Sequence, residues 1–145
     1  MFVIRNLLPF LAFGLLWAPL VLGDGLAYAE WMALEQKYQS PGLQTLYFES
    51  ATIRREGNLV TLVTLTDWEL MQGNRSPSRF RSTRVKKQFD CADKRLRLLV
   101  ITDFYGRMGT GRRMAETVYD SDGDWSLIEP DSLDHALWEI ACGKP

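Results

Sequence analysis

Thr52-Ile53-Arg54-Arg55-Glu56-Gly57-Asn58-Leu59-Val60-Thr61-Leu62-Val63-Thr64-Leu65-Thr66 is the stretch that decides the fold class. Gly57 and Asn58 both tolerate positive φ, which the two central positions of a tight hairpin turn require. Residues 59–66 are rich in β-branched side chains and apolar on both faces, so they predict a central strand packed on both sides. Residues 52–55 supply the first arm of that hairpin. Further upstream, residues 43–48 read as extended after the turn Ser40-Pro41-Gly42, and residues 31–34 read as a first strand.

Downstream, residues 71–79 form a polar break. Residues 80–91 then alternate, with Val85, Phe89 and Cys91 on one face and Arg84, Lys86 and Gln88 on the other. Residues 95–105 read as another long strand, with Leu96, Leu98, Val100 and Phe104 opposite Leu99, Ile101 and Tyr105. Gly106, Gly109 and Gly111 mark a connection before a short strand over 114–119. The tail differs in kind. Leu133, Ala136, Leu137, Ile140 and Ala141 follow the spacing of an amphipathic helix, with His135 and Glu139 pointing away. Asp131 or Ser132 can cap its start and Gly143 its end. The fold class is therefore α+β, mainly sheet with one C-terminal helix packed on it.

Residues 1–29 read as a cleavable secretory signal ahead of a single domain over 30–145. Arg5 opens a weakly basic segment, and an apolar run over 7–23 is broken only by Pro9 and Pro19. Ala27 and Ala29 then stand at −3 and −1 of a cut before Glu30, and a second cut is available after Gly23. The apolar run is short of the roughly 20 residues a spanning helix needs, and its prolines disfavour an anchor, so no membrane span is expected after cleavage. No cysteine near the cut is available for lipid attachment.

Export gives the cysteine count meaning. Cys91 and Cys142 are the only two, and in an oxidising compartment the simplest outcome is one bridge between them. It would close a loop of about 50 residues and contribute roughly 4 kcal/mol in the chain-entropy model. An intermolecular bridge or two free thiols are the alternatives.

The formal charge of −1 gives no reason to expect nucleic acid as a partner. The charge is unevenly spread, however. Residues 71–89 carry Arg75, Arg79, Arg81, Arg84, Lys86 and Lys87 with no acid, and residues 114–143 carry eight acids with no Lys or Arg. The functional reading is a basic face for a protein or polyanion ligand. The competing reading is two solvated faces that attract one another within the fold. Asp120-Ser121-Asp122-Gly123-Asp124 resembles a calcium loop only superficially, because Trp125 and Asp131 occupy the places of the required Gly and Glu. The glycine-rich 106–113 segment lacks the Lys-Ser/Thr pair of a phosphate loop. Catalysis is poorly provided for: His135 is the single histidine, no G-x-S-x-G elbow exists, and bridged cysteines are not nucleophiles. No enzyme activity, metal or cofactor is expected.

Tyr47-Phe48-Glu49-Ser-Ala-Thr52-Ile53-Arg54-Arg55-Glu-Gly57-Asn58-Leu-Val resembles the opening of the surface-adhesin protein E-like domain of bacterial envelope proteins. So do Phe89-Asp90-Cys91-Ala92, then Tyr105-Gly106-Arg-Met108-Gly109-Thr-Gly111, then Trp125 with Ile128-Glu-Pro130-Asp-Ser132 and Ala141-Cys142. The resemblance spans nearly all of the chain from Glu30 to Gly143. It implies an antiparallel sheet with its C-terminal helix tethered across it by the disulfide. It also implies an exported protein whose name-giving relative is an adhesin for host matrix proteins. Glu49 stands where the family usually has Asp, and Val63 where Trp is common. The resulting expectation is an exported, non-enzymatic binding module, in the periplasm or at the cell surface. The alternative is a periplasmic structural or accessory protein without adhesin activity.

Overall fold

A computed structural model describes residues 30–73, 78–120 and 122–143. Its seven strands are β1 (Met32–Ala33), β2 (Gln44–Glu56), β3 (Leu59–Gln72), β4 (Phe80–Asp90), β5 (Arg95–Phe104), β6 (Arg113–Val118) and β7 (Ser126–Leu127), followed by helix α1 (Leu133–Cys142). All the pairings are antiparallel, in the order β1-β2-β3-β4-β5-β6, with β7 joined to the start of β5. The secretory-signal reading, Arg75 and Ser121 lie outside the described residues.

The deciding hairpin forms where its sequence predicts, although of its two central residues only Gly57 takes a positive φ. Glu56 pairs with Leu59 across Gly57 and Asn58, and Gly57 adopts φ 61°. β3 runs on to Gln72, well past Thr66, so the polar break starts later than its composition suggests. The two extended segments expected before the hairpin are one strand, β2, interrupted by an irregularity in which residues 50–53 lie opposite Leu62 alone. A side chain repairs the gap. Thr52 Oγ1 donates to Glu49 O and accepts the Val63 N–H at 3.1 Å, standing in for the missing backbone partner.

A second irregularity overturns one face assignment. Leu98 pairs with Lys87 but Val100 pairs with Lys86, leaving Leu99 as an extra residue. Register then places Leu96 and Leu98 on the helix side and Val100 and Phe104 on the opposite side, because one inserted residue flips the alternation that follows.

The core lies between the sheet and α1. Val60, Leu62, Phe89, Leu96 and Ile128 pack with Leu137, Trp138, Ala141 and Cys142, and Leu34 joins them. Each Val, Leu, Ile or Phe side chain among them, fully buried, contributes about 1.5–3 kcal/mol. Ser132 caps α1 by accepting the His135 N–H, and Gly143 ends it in the left-handed conformation. The buried arc is Leu137, Trp138, Ala141 and Cys142, with Leu133 and Ile140 only partly buried. That arc is rotated roughly a quarter turn from the one predicted by apolar spacing. Its anchor is Trp138, whose indole Nε1 donates to Asp90 O at 3.1 Å. The rotation also brings His135 onto the Trp138 ring instead of leaving it free in solvent. Cys91 and Cys142 are joined, and no cysteine is free.

Candidate binding face

α1 covers one face of the sheet. The opposite face is built from residues that register places side by side. One row is Glu49 (β2), Val63 (β3), Lys86 (β4), Val100 (β5) and Val118 (β6). The next is Tyr47, Leu65, Arg84, Thr102 and Glu116. Between these rows lies a shallow depression of about 250 Å³, lined among others by Glu49, Thr52, Val63, Arg84, Lys86 and Glu116.

One end of this face is closed by a strap, residues 106–111. Asp67 Oδ2 accepts from Arg107 Nε at 2.9 Å and Nη2 at 2.7 Å, and Oδ1 accepts the Met108 N–H at 2.8 Å. Ser82 Oγ donates to Gly106 O and accepts the Gly109 N–H. Asp67 is 2% exposed and Ser82 fully buried, so the strap covers polar groups that would otherwise be expensive to leave unpaired. The hydrogen bonds and the charge of Asp67 raise the Arg107 pKa above its ordinary value. Met108 is held at φ 54°, a left-handed conformation uncommon for a non-glycine residue. The glycines are thus turn residues, as expected, but the turn is latched down onto the sheet. At the other end, Arg95 and Arg97 stack on the Trp125 ring at 4.7 and 4.4 Å.

The basic segment singled out by composition divides between the two faces. Lys87 faces α1 and pairs with Asp134 at 2.7 Å. Here the basic strand and the acidic helix do attract one another within the fold. Arg81 lies on that same side and donates from Nη2 to Glu69 O at 2.7 Å, filling the irregularity between β3 and β4. Arg79 is exposed just before β4. Of the described residues of this segment, only Arg84 and Lys86 reach the open face. Neither has a hydrogen-bonding or ion-pair partner among the described residues, and the Arg84 guanidinium rests 5.1 Å from the Phe104 ring centre.

Composition missed the other half of this face. Glu49 lies two strands from Lys86, and Glu116 two strands from Arg84; only the sheet topology brings them together. Glu116 is fixed through Oε2 by Thr102 Oγ1 at 3.1 Å and Arg113 Nη1 at 3.2 Å. Arg95 and Arg97 alternate around Leu96 in the sequence, a signal that could have placed them on one face. Among the described residues, no cluster of three His, Cys, Asp or Glu is placed to hold a metal. His135 contacts Glu139 and the Asp131 N–H through its ring nitrogens, not a serine hydroxyl.

Residues 31–143 match the family model described as surface-adhesin protein E. The chain belongs to the surface-adhesin protein E family. Its fold is similar to crystal structures of Haemophilus influenzae protein E. Crystal form II aligns with a TM-score of 0.55 at 15% identity, covering 77% of this chain and 96% of that one. Protein E from non-typeable Haemophilus influenzae aligns with a TM-score of 0.52 at 16% identity, covering 79% and 84%. No curated protein matches the chain in sequence. Within this protein E fold, no helix among the described residues is long and apolar enough to cross a membrane.

Proposed function

We propose that this chain is an exported cell-envelope protein that binds other proteins through the open face of its sheet and catalyses no reaction. The observation that carries this reading is the pair Arg84 and Lys86, unpartnered in a depression whose floor includes Val63 and Val100. Apolar floor plus unpaired charge is the composition of a protein-contact patch. A polyanion suits the face less well, because Glu49 and Glu116 stand on either side and would repel it. Membership of a family named for a surface adhesin supports adhesion as the role, and the reading of residues 1–29 as a leader supports export.

The test is binding of the purified protein to a panel of immobilised extracellular-matrix proteins across a salt series. Arg84→Glu combined with Lys86→Glu is expected to abolish salt-sensitive binding. Unchanged binding by that double variant would overturn the contact face. Protease treatment of intact cells separates a surface location, where the protein is digested, from the periplasm, where it is spared.

A further inference from the structure

Resting on the reading of the open face as a protein-contact surface, we infer that its ligand is an extended segment in which an acidic residue has a basic residue on each side. Arg84 anchors the acidic side chain. Charge order across the strands sets this pattern. Glu49 on β2 and Glu116 on β6 flank Lys86 and Arg84 on β4, so the face reads negative, positive, negative, with Arg113 sharing one oxygen of Glu116 at the outer edge. From Arg84 the step to Glu116 in the same row spans two strand spacings, about 10 Å, and the step to Glu49 in the neighbouring row about 12 Å; an extended chain covers each in about three to four residues.

Arg84 is the better anchor of the two cations. Its guanidinium is laid against Phe104, itself nearly buried, so its fork is held in place before a ligand arrives. A planar fork fits a carboxylate with two parallel hydrogen bonds, which a lysine ammonium cannot reproduce. Lys86 is exposed and rests on no aromatic ring among the described residues. On the margins, Glu116 is oriented by Thr102 and Arg113 through one oxygen, and its Oε1 has no partner among the described residues. The Glu49 carboxylate has none either. Val63 and Val100 supply the apolar floor for the intervening residues.

The experiment is an NMR titration of the isotope-labelled protein with two extended synthetic peptides of identical composition and three-residue spacing, one ordered basic-acidic-basic and the other with that order inverted to acidic-basic-basic. A polyglutamate peptide serves as the polyanion probe. The first peptide is expected to shift the amides of Val63, Arg84, Val100 and Thr102 saturably. Arg84→Gln should weaken its binding at least about tenfold, and Arg84→Lys should lose several-fold while preserving the free spectrum. Equal binding of the inverted peptide or polyglutamate, shifts confined to other surfaces, or no shifts at millimolar peptide would each overturn the inference. If the Arg84→Glu, Lys86→Glu variant has lost matrix-protein binding but the peptides show no preference for charge order, the contact face survives and the pattern falls. If the double variant still binds matrix protein, the contact face itself falls.

Discussion

Trp138 Nε1 donates to the carbonyl of Asp90, and the residue after Asp90 is Cys91, whose disulfide partner Cys142 lies one helical turn beyond Trp138. One strand end thus receives α1 twice, once by a buried hydrogen bond and once by a covalent link. Asp90 itself is braced to serve this purpose. Its Oδ1 accepts the N–H groups of Ala92 and Asp93, and its Oδ2 accepts Arg95 Nε.

Removing the covalent half has a predictable cost. The cysteines are 51 residues apart, so Cys91→Ser combined with Cys142→Ser should lower unfolding free energy by about 4 kcal/mol in the chain-entropy model. Trp138→Phe leaves the bridge intact but removes the indole hydrogen bond to the Asp90 carbonyl, and should cost about 0.5–1.5 kcal/mol. Urea denaturation of the two variants measures both.

Asp90 should make stability depend on pH at the acid end. Burial alone would raise its pKa. The Asp93 N–H, the Arg95 guanidinium and the Ala92 N–H together outweigh burial and hold it below its ordinary value of 3.8. A carboxylate more acidic in the folded state contributes stability above its unfolded pKa and loses it as pH falls through the folded one. Urea midpoints taken from about pH 5 to about pH 2 should therefore fall more steeply for the parent protein than for Asp90→Asn.

The two neighbouring lysines of β4 should behave oppositely. Lys87→Gln breaks the contact with Asp134, which is partly screened by solvent, and should cost about 0.5–1 kcal/mol of stability without affecting ligand binding. Lys86→Gln should leave the urea midpoint unchanged while weakening binding at the proposed contact face. The same effect from both substitutions would contradict the division of the basic segment.

Val63 offers a steric test of that face. It lines the depression, and Val63→Trp should occupy much of the space beside Arg84 and Lys86. Binding of matrix protein is expected to drop while thermal stability holds. Retained binding would move the contact elsewhere.

Asp67 should control the strap. Asp67→Asn removes the charge that holds Arg107 and weakens the acceptor for the Met108 N–H. Hydrogen exchange at the Met108 and Gly109 amides should accelerate, with the hairpin amides of β2 and β3 unchanged.

Local chemistry made much of this architecture legible in the chain alone. Gly57 determined a tight turn because few residues but glycine tolerate its positive φ. Ser132, Gly143 and the apolar spacing between them determined the helix and its ends, because caps and periodicity act within a few residues. Two cysteines and a leader-like opening made the bridge the simplest outcome. Tertiary structure decided what depends on partners distant in sequence. Thr52 and Arg81 fill gaps in the ladder that no local pattern announces, and an extra residue at Leu99 turned Val100 away from Leu98. Trp138 rotated the helix to reach a carbonyl 48 residues earlier. The six basic residues looked like one face in composition, but alternation along β4 separated Lys87 from Arg84 and Lys86. Glu49 and Glu116 joined them only because the strands pair in order, and pairing order is settled by the burial of the whole sheet against α1, not by any single segment.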